Sequence, residues 1–204
     1  MPDEIPVSVV VPTIKRREKF LNEKCIPSIL ANGNVELIVV NGEGIGSLKR
    51  NIGLAKATRT YVLFVDDDCI LRPQCVERML GEIQKVGPSF VYSDYERIVL
   101  PGVQSRAPAG RFSAGPFNVK RLKKSNYINT VSLIRRDICP RWDEKLLRFQ
   151  DWDFWLTVVL AGGVGGYIPE VLYELWQIDV SVTNVVKANP YIEMITFKHK
   201  LNRR

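Results

Sequence analysis

The chain is poor in the residues that metal-binding and hydrolytic proteins rely on. It has a single histidine, His199, and its four cysteines lack the Cys-x-x-Cys spacing of zinc sites. These scattered thiols also argue against a disulfide framework, and they favour an intracellular, cytoplasmic protein. With one histidine, mechanisms that need an imidazole base are disfavoured, so carboxylates become the expected proton acceptors. The four cysteines are Cys25, Cys69, Cys75 and Cys139.

Long apolar runs are also missing. No stretch approaches the roughly 20 apolar residues that span a bilayer, so we expect a soluble protein, with peripheral contact to a membrane left open. The N-terminal stretch MPDEIPVSVVVPT is acidic where a signal peptide is positive, and Pro6 and Pro12 interrupt its apolar run. Secretion by that route is therefore not expected.

What is present suits a single globular domain, because the 204 residues are 46% hydrophobic and 25% charged. The net charge of +7 is concentrated between Arg106 and Lys124, a basic segment with six cations and no acidic residue. Such a segment indicates a polyanion, which could be nucleic acid, an anionic membrane or the phosphates of a small ligand. The surrounding residues 101–126 are long for a plain connection, so we expect a mobile lid.

Short apolar strands alternate with helical patterns in the first hundred residues. The strands are VSVVV, VELIVV, YVLFV and FVYSD, and the three segments between them carry apolar residues at helical spacing. In the second of these helices, Leu48, Ile52 and Ala55 mark the expected buried face. Continuous apolar strands joined by helices predict an α/β protein with a parallel sheet covered on both faces.

Polar residues follow three of these strands. Pro12 and Thr13 end the first, the turn NGEG follows the second, and Asp66–Asp68 follow the third. Because ligands of such sheets bind at the carboxyl ends of the strands, these residues are expected in one crevice. Three adjacent carboxylates are costly to bury without partners, so we expect ribose hydroxyls and a divalent metal to satisfy them.

Four segments, in order, resemble a family 2 glycosyltransferase of the GT-A fold. They are VSVVVPTIKRREKFLNEKCIPSIL, ELIVVNGEG, RNIGLAKATRTYVLFVDDDCILRP and FQDWDFWLTVVLAGG, and the match runs from Val7 to about Thr183. The resemblance implies a Rossmann-like GT-A sandwich with a mainly parallel central sheet flanked by helices. It implies one domain over residues 1–204, with a nucleotide-binding half at about 1–100, an acceptor-binding half at 101–183 and a basic C-terminal helix or tail at 184–204.

The same resemblance implies the activity. It is that of a metal-dependent glycosyltransferase of the hexosyltransferase type, which moves a sugar from a UDP- or GDP-sugar to a hydroxyl group with inversion. The implied acceptor is a glycan, a lipid or a protein, and no nucleic acid partner is implied. By the motif matches, Pro12 and Thr13 resemble the first nucleotide contact, and Arg50 and Asn51 resemble the "RN.G" segment beneath the nucleotide.

The acidic triplet resembles the family's "DxD" motif, whose last carboxylate holds the metal on the donor's diphosphate. The resemblance implies that this residue is Asp68, with Asp66 as a second metal candidate. It also implies that Asp66 and Asp67 meet ribose hydroxyls or metal-bound water, and a one-residue choice of alignment decides which of the two does so. Mg²⁺ or Mn²⁺ suits oxygen ligands of this kind. The family often has a metal-binding histidine near the position of Asp179. Asp179 could take the place of that histidine, but a plain polar loop residue is the favoured interpretation.

The turn after the second strand departs from the family. Where the family reads "VDDGS", this chain has Val40 followed by NGEG, so Gly42 replaces the aspartate that bonds uracil. Asn41 offers a donor and an acceptor, and Glu43 offers an acceptor, so either a pyrimidine or guanine could be read.

The segment RFQDWDFWLTVVLAGG predicts a helix that begins near Asp151, where the helix dipole favours a negative charge. It resembles the family's "ED" motif, which implies that Asp151 is the catalytic base, with Asp153 as runner-up. The family's glutamate is Gln150 here and its usual arginine is Thr157, so acceptor choice differs from the family pattern.

Two other functions fit part of the sequence. A nucleotidyltransferase shares the nucleotide and metal chemistry, but the segment PTIKRREKF lacks the expected glycine-rich loop ending in lysine. A nucleic-acid-binding protein with a structural metal loop explains the basic segment but leaves the acidic motifs unexplained.

Overall fold

The computed structural model of the chain describes residues 4–105, 107–179 and 186–201, which form an eight-stranded sheet with helices on both faces. The strands are β1 (Val7–Pro12), β2 (Glu36–Val40), β3 (Tyr61–Phe64), β4 (Cys69–Leu71), β5 (Phe90–Val99), β6 (Gly110–Phe112), β7 (Leu133–Arg135) and β8 (Gly165–Gln177). The helices are α1 (Glu18–Phe20), α2 (Ile26–Leu30), α3 (Gly46–Lys56), α4 (Cys75–Val86), α5 (Val119–Lys124), α6 (Gln150–Leu160) and α7 (Asn189–Lys198).

The sheet has the strand order β2-β1-β3-β7-β5-β8-β4, with β6 paired to β5. Strands β1, β2, β3, β5 and β8 run in one direction, and β4, β6 and β7 run against them. The predicted α/β sandwich is confirmed, and most of its strands are codirectional as expected. The three opposing strands have only three residues each, which is too short for a periodic sequence signal.

Alternate residues of the strands face opposite sides, so the sheet separates two cores. On β1, Val9 and Val11 pack into the core that contains α2 and α4, while Val10 packs into the core that contains α6. Trp155 of α6 is fully buried and stacks on Phe90, with 4.6 Å between ring centroids. Helix α6 is therefore fixed by close packing along most of its length.

The buried face of α3 is not the predicted one. Of the predicted face, Ile52 is 39% exposed and Ala55 is exposed. The helix instead buries a mainly polar set, because its inner face borders a cleft and approaches β1 too closely for large apolar groups. The buried residues of α3 are Ser47, Lys49, Arg50, Asn51 and Gly53.

The predicted lid, residues 101–126, contains β6 and α5 in its described part. Strand β6 pairs with β5, and the guanidinium of Arg111 donates to Asp94 with a 2.6 Å Nη2–Oδ2 distance. The guanidinium of Arg121 lies 3.9 Å from the ring centroid of Tyr127. These contacts attach the segment to the rest of the protein. The predicted lid motion is not tested by them and stays a prediction. Arg106 lies outside the described residues.

The C-terminal part contains α7, which agrees with the predicted helix and buries Ile195. Residues 180–185, where the family resemblance ends, lie outside the described residues. All four cysteines are free, as predicted. Among the described helices, none combines the length and the apolar character needed to cross a membrane.

The close approach of α3 to β1 makes a stability prediction. A Cβ atom at Gly53 would lie 2.2 Å from Cγ1 of the buried Val10. Gly53→Ala should therefore lower the free energy of unfolding by about 1–3 kcal/mol through overpacking, measured by urea denaturation. Gly81→Ala in α4 is the control, because no atom lies within 4 Å of its added Cβ, and it should raise stability by up to about 1 kcal/mol. Equal stability of the two variants would contradict this packing.

Candidate active site

A cleft of about 580 Å³ opens at the carboxyl ends of β1 and β3. Pro12 and Thr13 line it at the end of β1, and Asp66–Asp68 line it directly after β3. On another wall, Gln150 and Asp151 line it at the start of α6. The predicted convergence is therefore present for the ends of β1 and β3, and it includes the acidic residue at the start of α6. Of the turn NGEG after β2, only Gly44 lines this cleft.

Asp67 is held by groups of the protein itself. Thr13 Oγ1 donates to Asp67 Oδ2 at 2.8 Å, and Arg17 Nη1 donates to Asp67 Oδ1 at 2.8 Å. Lys49 Nζ in turn donates to the Thr13 carbonyl oxygen at 2.7 Å. With both carboxylate oxygens engaged and 4% of the residue exposed, Asp67 ties the end of β3 to the end of β1.

Arg50 extends across the cleft. Its Nη2 donates to Asp66, and its Nη1 donates to Gln150 Oε1 at 3.0 Å. The guanidinium lies 4.7 Å from the ring centroid of Trp142, which supports it from below. A Cβ atom at Gly46 would lie 2.9 Å from Arg50 Nη1, so glycine leaves room for this side chain. Arg50 thus joins the strand end to the start of α6.

Asn51, a predicted nucleotide contact, does not line the cleft. Its Nδ2 donates to the Trp142 carbonyl oxygen at 3.0 Å and to Glu144 Oε1 at 2.7 Å, and its Oδ1 accepts from the Trp142 amide at 2.8 Å. The residue is 3% exposed. Its amide is used to hold the loop that places Trp142 beneath Arg50, so the structure gives Asn51 a positioning role.

Arg17 is one of the cleft residues that were not predicted from the sequence. Its Nη1 also donates to Asp68 Oδ2 at 2.9 Å, and its Nε and Nη2 donate to the two oxygens of Asp179 at 3.1 and 2.6 Å. Its carboxylate partners lie up to 162 residues away along the chain, so no local pattern could reveal them. Asp179 lines the same cleft and is also 3.1 Å from Nε of Arg16.

Asp68 is mostly buried between like charges. Burial raises its pKa to about 7, the charges of Asp66 and Asp67 add to this effect, and Arg17 opposes it. The pKa of Asp68 is therefore raised mainly because the carboxylate is removed from water, and the ion pair with Arg17 only partly opposes this effect.

Asp151 is held at the mouth of α6. Phe149 precedes the helix in a left-handed conformation, with a φ of 59° that is uncommon for a residue other than glycine. Asp151 Oδ2 accepts from Asn126 Nδ2 at 2.7 Å, and Oδ1 accepts from the Trp152 amide at 2.9 Å. Burial raises the pKa of Asp151 to about 6, although the Trp152 amide and the charge of Arg50 lower it. Such a carboxylate suits a general base at neutral pH.

Asp153 lies outside the cleft. Its oxygens are within 2.8 Å of Lys198 Nζ and 2.7 Å of His199 Nε2, and 2% of the residue is exposed. Asp153 therefore anchors the end of α7, and the chain's single histidine belongs to that anchor.

Asn41 and Glu43 line a shallow exposed recess beside the cleft. The two spaces share Ile14 and Gly44 as lining residues, so the recess continues from the end of β1. Asn41 Oδ1 accepts from the amide of Gly42 at 2.7 Å. The position suits the predicted contact with a nucleotide base, which stays a prediction.

Further cations line the cleft that sequence reasoning did not place there. Arg97 comes from β5, and Arg148 precedes α6, where its Nη1 donates to the Val186 carbonyl oxygen at 2.8 Å. No described cation of the basic segment lines the cleft. The positive charge in the site therefore comes from other parts of the chain.

Comparisons with known proteins bear on the family and the fold of the chain. Residues 46–142 match the sequence profile of Glycosyl transferase family 2. A crystal structure of S. aureus TarS 1-349 in complex with UDP-GlcNAc has a TM-score of 0.73 and 15% identity, covering 95% of this chain and 66% of that chain. The complex of TarS 1-349 with UDP gives 0.69 and 16%, with 95% and 65% covered. A further TarS 1-349 structure gives 0.67 and 17%, with 84% and 60% covered.

At these identities the structural likeness concerns the fold. The chain spans about 60% to 66% of the length of these TarS 1-349 chains. No curated protein sequence matches the chain.

The two acidic residues at the start of α6 should differ in what they do for stability. Asp153→Asn removes the charge that faces Lys198 and His199, so it should lower the free energy of unfolding by about 1–3 kcal/mol, measured by urea denaturation at pH 7. Asp151→Asn removes a carboxylate whose charged form is disfavoured by burial, so stability should be unchanged or higher. A larger loss in Asp151→Asn would mean that these roles are reversed.

Proposed function

We propose that this chain, which belongs to family 2 of the glycosyltransferases and has their GT-A fold, transfers a sugar from a UDP- or GDP-sugar to an acceptor hydroxyl with inversion. The observation that carries the proposal is that Asp66–Asp68 and Asp151 line one cleft from different walls. A donor bound between them would have its diphosphate beside the first group and its anomeric carbon toward the second. The TarS complexes with UDP-GlcNAc and UDP support a nucleotide-sugar as the donor class.

The nucleotide is proposed to lie along the ends of β1 and β3. Pro12 and Thr13 border this region, and Asn41 and Glu43 lie in the recess that continues from it. Both of those side chains are exposed and polar, so they are available to a uracil or a guanine. Arg50 braces the floor of the site through Asp66 and Gln150.

Mg²⁺ or Mn²⁺ is proposed as the cofactor, held by Asp68 together with Asp66. Carboxylate oxygens at a strand end, facing an open cleft, are the ligands that these hard cations prefer. When bound, the cation supplies Lewis-acid stabilisation of the departing diphosphate. The guanidinium groups of Arg97 and Arg148 add positive charge to the same cleft, which also favours negative charge on the leaving group.

Asp151 is proposed as the general base. As the acceptor oxygen bonds to the anomeric carbon and the bond from that carbon to the diphosphate oxygen breaks, the hydroxyl proton passes to a carboxylate oxygen of Asp151. Attack on the face opposite the leaving group inverts the configuration. Asn126 donates to Oδ2 and so orients the carboxylate.

The rival function of nucleic-acid binding depends on the basic segment, and two of its cations are used within the protein. In the basic segment, Arg111 is paired with Asp94, and Arg121 donates to the Ala114 carbonyl oxygen and lies over Tyr127. These two cations hold the segment in place, which accounts for part of its charge without a nucleic-acid partner.

The activity can be tested with a panel of nucleotide-sugars incubated with Mn²⁺ or Mg²⁺, with released nucleoside diphosphate as the readout. We expect release, including slow hydrolysis to water, from one donor or a small group of them. If no donor is bound or consumed, and oligonucleotides bind with a steep salt dependence, the proposal fails in favour of a nucleic-acid-binding protein.

Asp151→Asn should separate binding from transfer. The amide keeps the size of the carboxylate but cannot accept the proton, so transfer should fall by roughly a hundredfold or more while donor affinity stays near that of the wild type. Transfer rates and donor binding by calorimetry check this. Full activity in Asp151→Asn, or a collapse of transfer in Asp153→Asn alone, would show that Asp151 is not the base.

The rate of transfer should depend on pH through Asp151. A base must be ionised, and the pKa of Asp151 is raised to about 6, so the rate should be level above that pH and fall as the pH drops below it. Asn126→Ala removes a hydrogen bond to the ionised form, so the fall should begin at a higher pH. A pH–rate profile of both proteins measures this, and a fall at the same pH in both would exclude Asn126 from tuning the base.

A further inference from the structure

Arg17 contacts three carboxylates at the proposed donor site. Its Nη1 is 2.8 Å from Asp67 Oδ1 and 2.9 Å from Asp68 Oδ2, and its Nη2 is 2.6 Å from Asp179 Oδ1. The side chain is 17% exposed. A guanidinium has five N–H donors in a fixed plane, which lets one group serve several acceptors in this way. Arg17 therefore lies between the carboxylates at the end of β3 and Asp179, which follows β8.

The guanidinium of Arg17 lies beside Asp68, where a divalent cation bound to that carboxylate would also lie. Within the described ranges, no three histidine, cysteine, aspartate or glutamate side chains are grouped so that they could hold a metal ion. One oxygen of Asp67, one oxygen of Asp68 and both oxygens of Asp179 are hydrogen-bonded to Arg17 instead. A divalent cation that bound these oxygens would compete with Arg17 for their lone pairs. It would also be repelled by the positive charge of the guanidinium.

We propose that Arg17 and the divalent metal compete for the carboxylate of Asp68. In the nucleotide-free chain Arg17 is the cation bound to Asp68, and the metal enters together with a nucleoside diphosphate. The phosphate oxygens give Arg17 a new partner, because guanidinium groups bind phosphate through paired hydrogen bonds. The inference rests on the proposed function in taking Asp68 as a metal ligand.

The local structure allows Arg17 to move. It lies in a short 3-10 turn, Lys15–Arg17, followed by α1, and neither element buries a residue in the core. A π-helical turn, Leu21–Cys25, follows, and such irregular turns are frequent at functional sites. Asp67 keeps its hydrogen bond from Thr13 when Arg17 leaves, so the strand end remains in place.

The exchange predicts positive coupling between metal and nucleotide. Mn²⁺ alone must displace Arg17 from Asp68 without offering the guanidinium another partner. When UDP or GDP binds with Mn²⁺, its phosphate oxygens give the guanidinium a new partner. Nucleotide should therefore raise the affinity for Mn²⁺, and the increase should depend on Arg17.

The test measures Mn²⁺ binding by electron paramagnetic resonance of the free ion, with and without UDP or GDP. Without nucleotide, Arg17→Met should bind Mn²⁺ roughly tenfold more tightly than the wild type, and the enhancement by nucleotide should shrink by a similar factor. Arg16→Met is the matched control, because it removes the same charge from a residue that contacts only Asp179 of the three carboxylates. Its Mn²⁺ affinity should stay close to that of the wild type.

Equal or weaker Mn²⁺ binding by Arg17→Met would overturn the inference, as would an equal gain in Arg16→Met. If Arg17→Met fails to fold, Arg17→Lys replaces it, since a single ammonium cannot serve three carboxylates and should give a smaller gain in the same direction. Adding Asp68→Asn to either variant should abolish the gained binding, and a gain that persists places Mn²⁺ elsewhere and also overturns the inference.

These measurements use neither a sugar donor nor an acceptor. Their failure therefore leaves glycosyl transfer to be decided by the panel of nucleotide-sugars. A chain that transferred no sugar could still show the competition between Arg17 and Mn²⁺.

Discussion

Three adjacent carboxylates at the end of a buried strand repel one another, and the surrounding structure is arranged around that repulsion. Each carboxylate is bound by a side chain from a distant part of the chain, and Arg17 binds two of them. Asp66 is bound by Arg50, which reaches the start of α6, and Asp67 is bound by Thr13 at the end of β1. Asp68 is bound by Arg17, which also holds the segment after β8. Burying these charges without partners would cost far more than a surface turn could return, so their partners fix the geometry of the cleft.

Much of the fold and part of the site could be predicted from local patterns. The alternation of strands and helices gave the α/β architecture, and the polar residues after three strands gave the edge where the cleft lies. The helix that begins near Asp151 was predicted from apolar spacing, and α6 indeed runs Gln150–Leu160. These features depend on periodicity and on the ends of elements, which are local properties of a sequence.

What escaped prediction depends on contacts between distant residues. Arg17 stands among basic residues in a stretch that reads as solvent-exposed, yet it is held by partners 50 or more residues away. Asn51 matched a nucleotide-contact motif, but its amide is used by Trp142 and Glu144. In α3, apolar residues were assigned to the buried face, and the close approach of Gly53 to Val10 reversed that assignment. Strands of three residues carry too little pattern to be seen.

The polar inner face of α3 has a consequence for how such a protein can change over evolution. Arg50 and Lys49 stabilise the helix against the sheet and also form the wall of the cleft, so substitutions there alter folding and chemistry together. Asn41 and Glu43 in the recess do not have this double role, because both side chains are exposed and belong to neither core. Substitutions at that turn can therefore accumulate without loss of stability, while the centre of the cleft stays constrained.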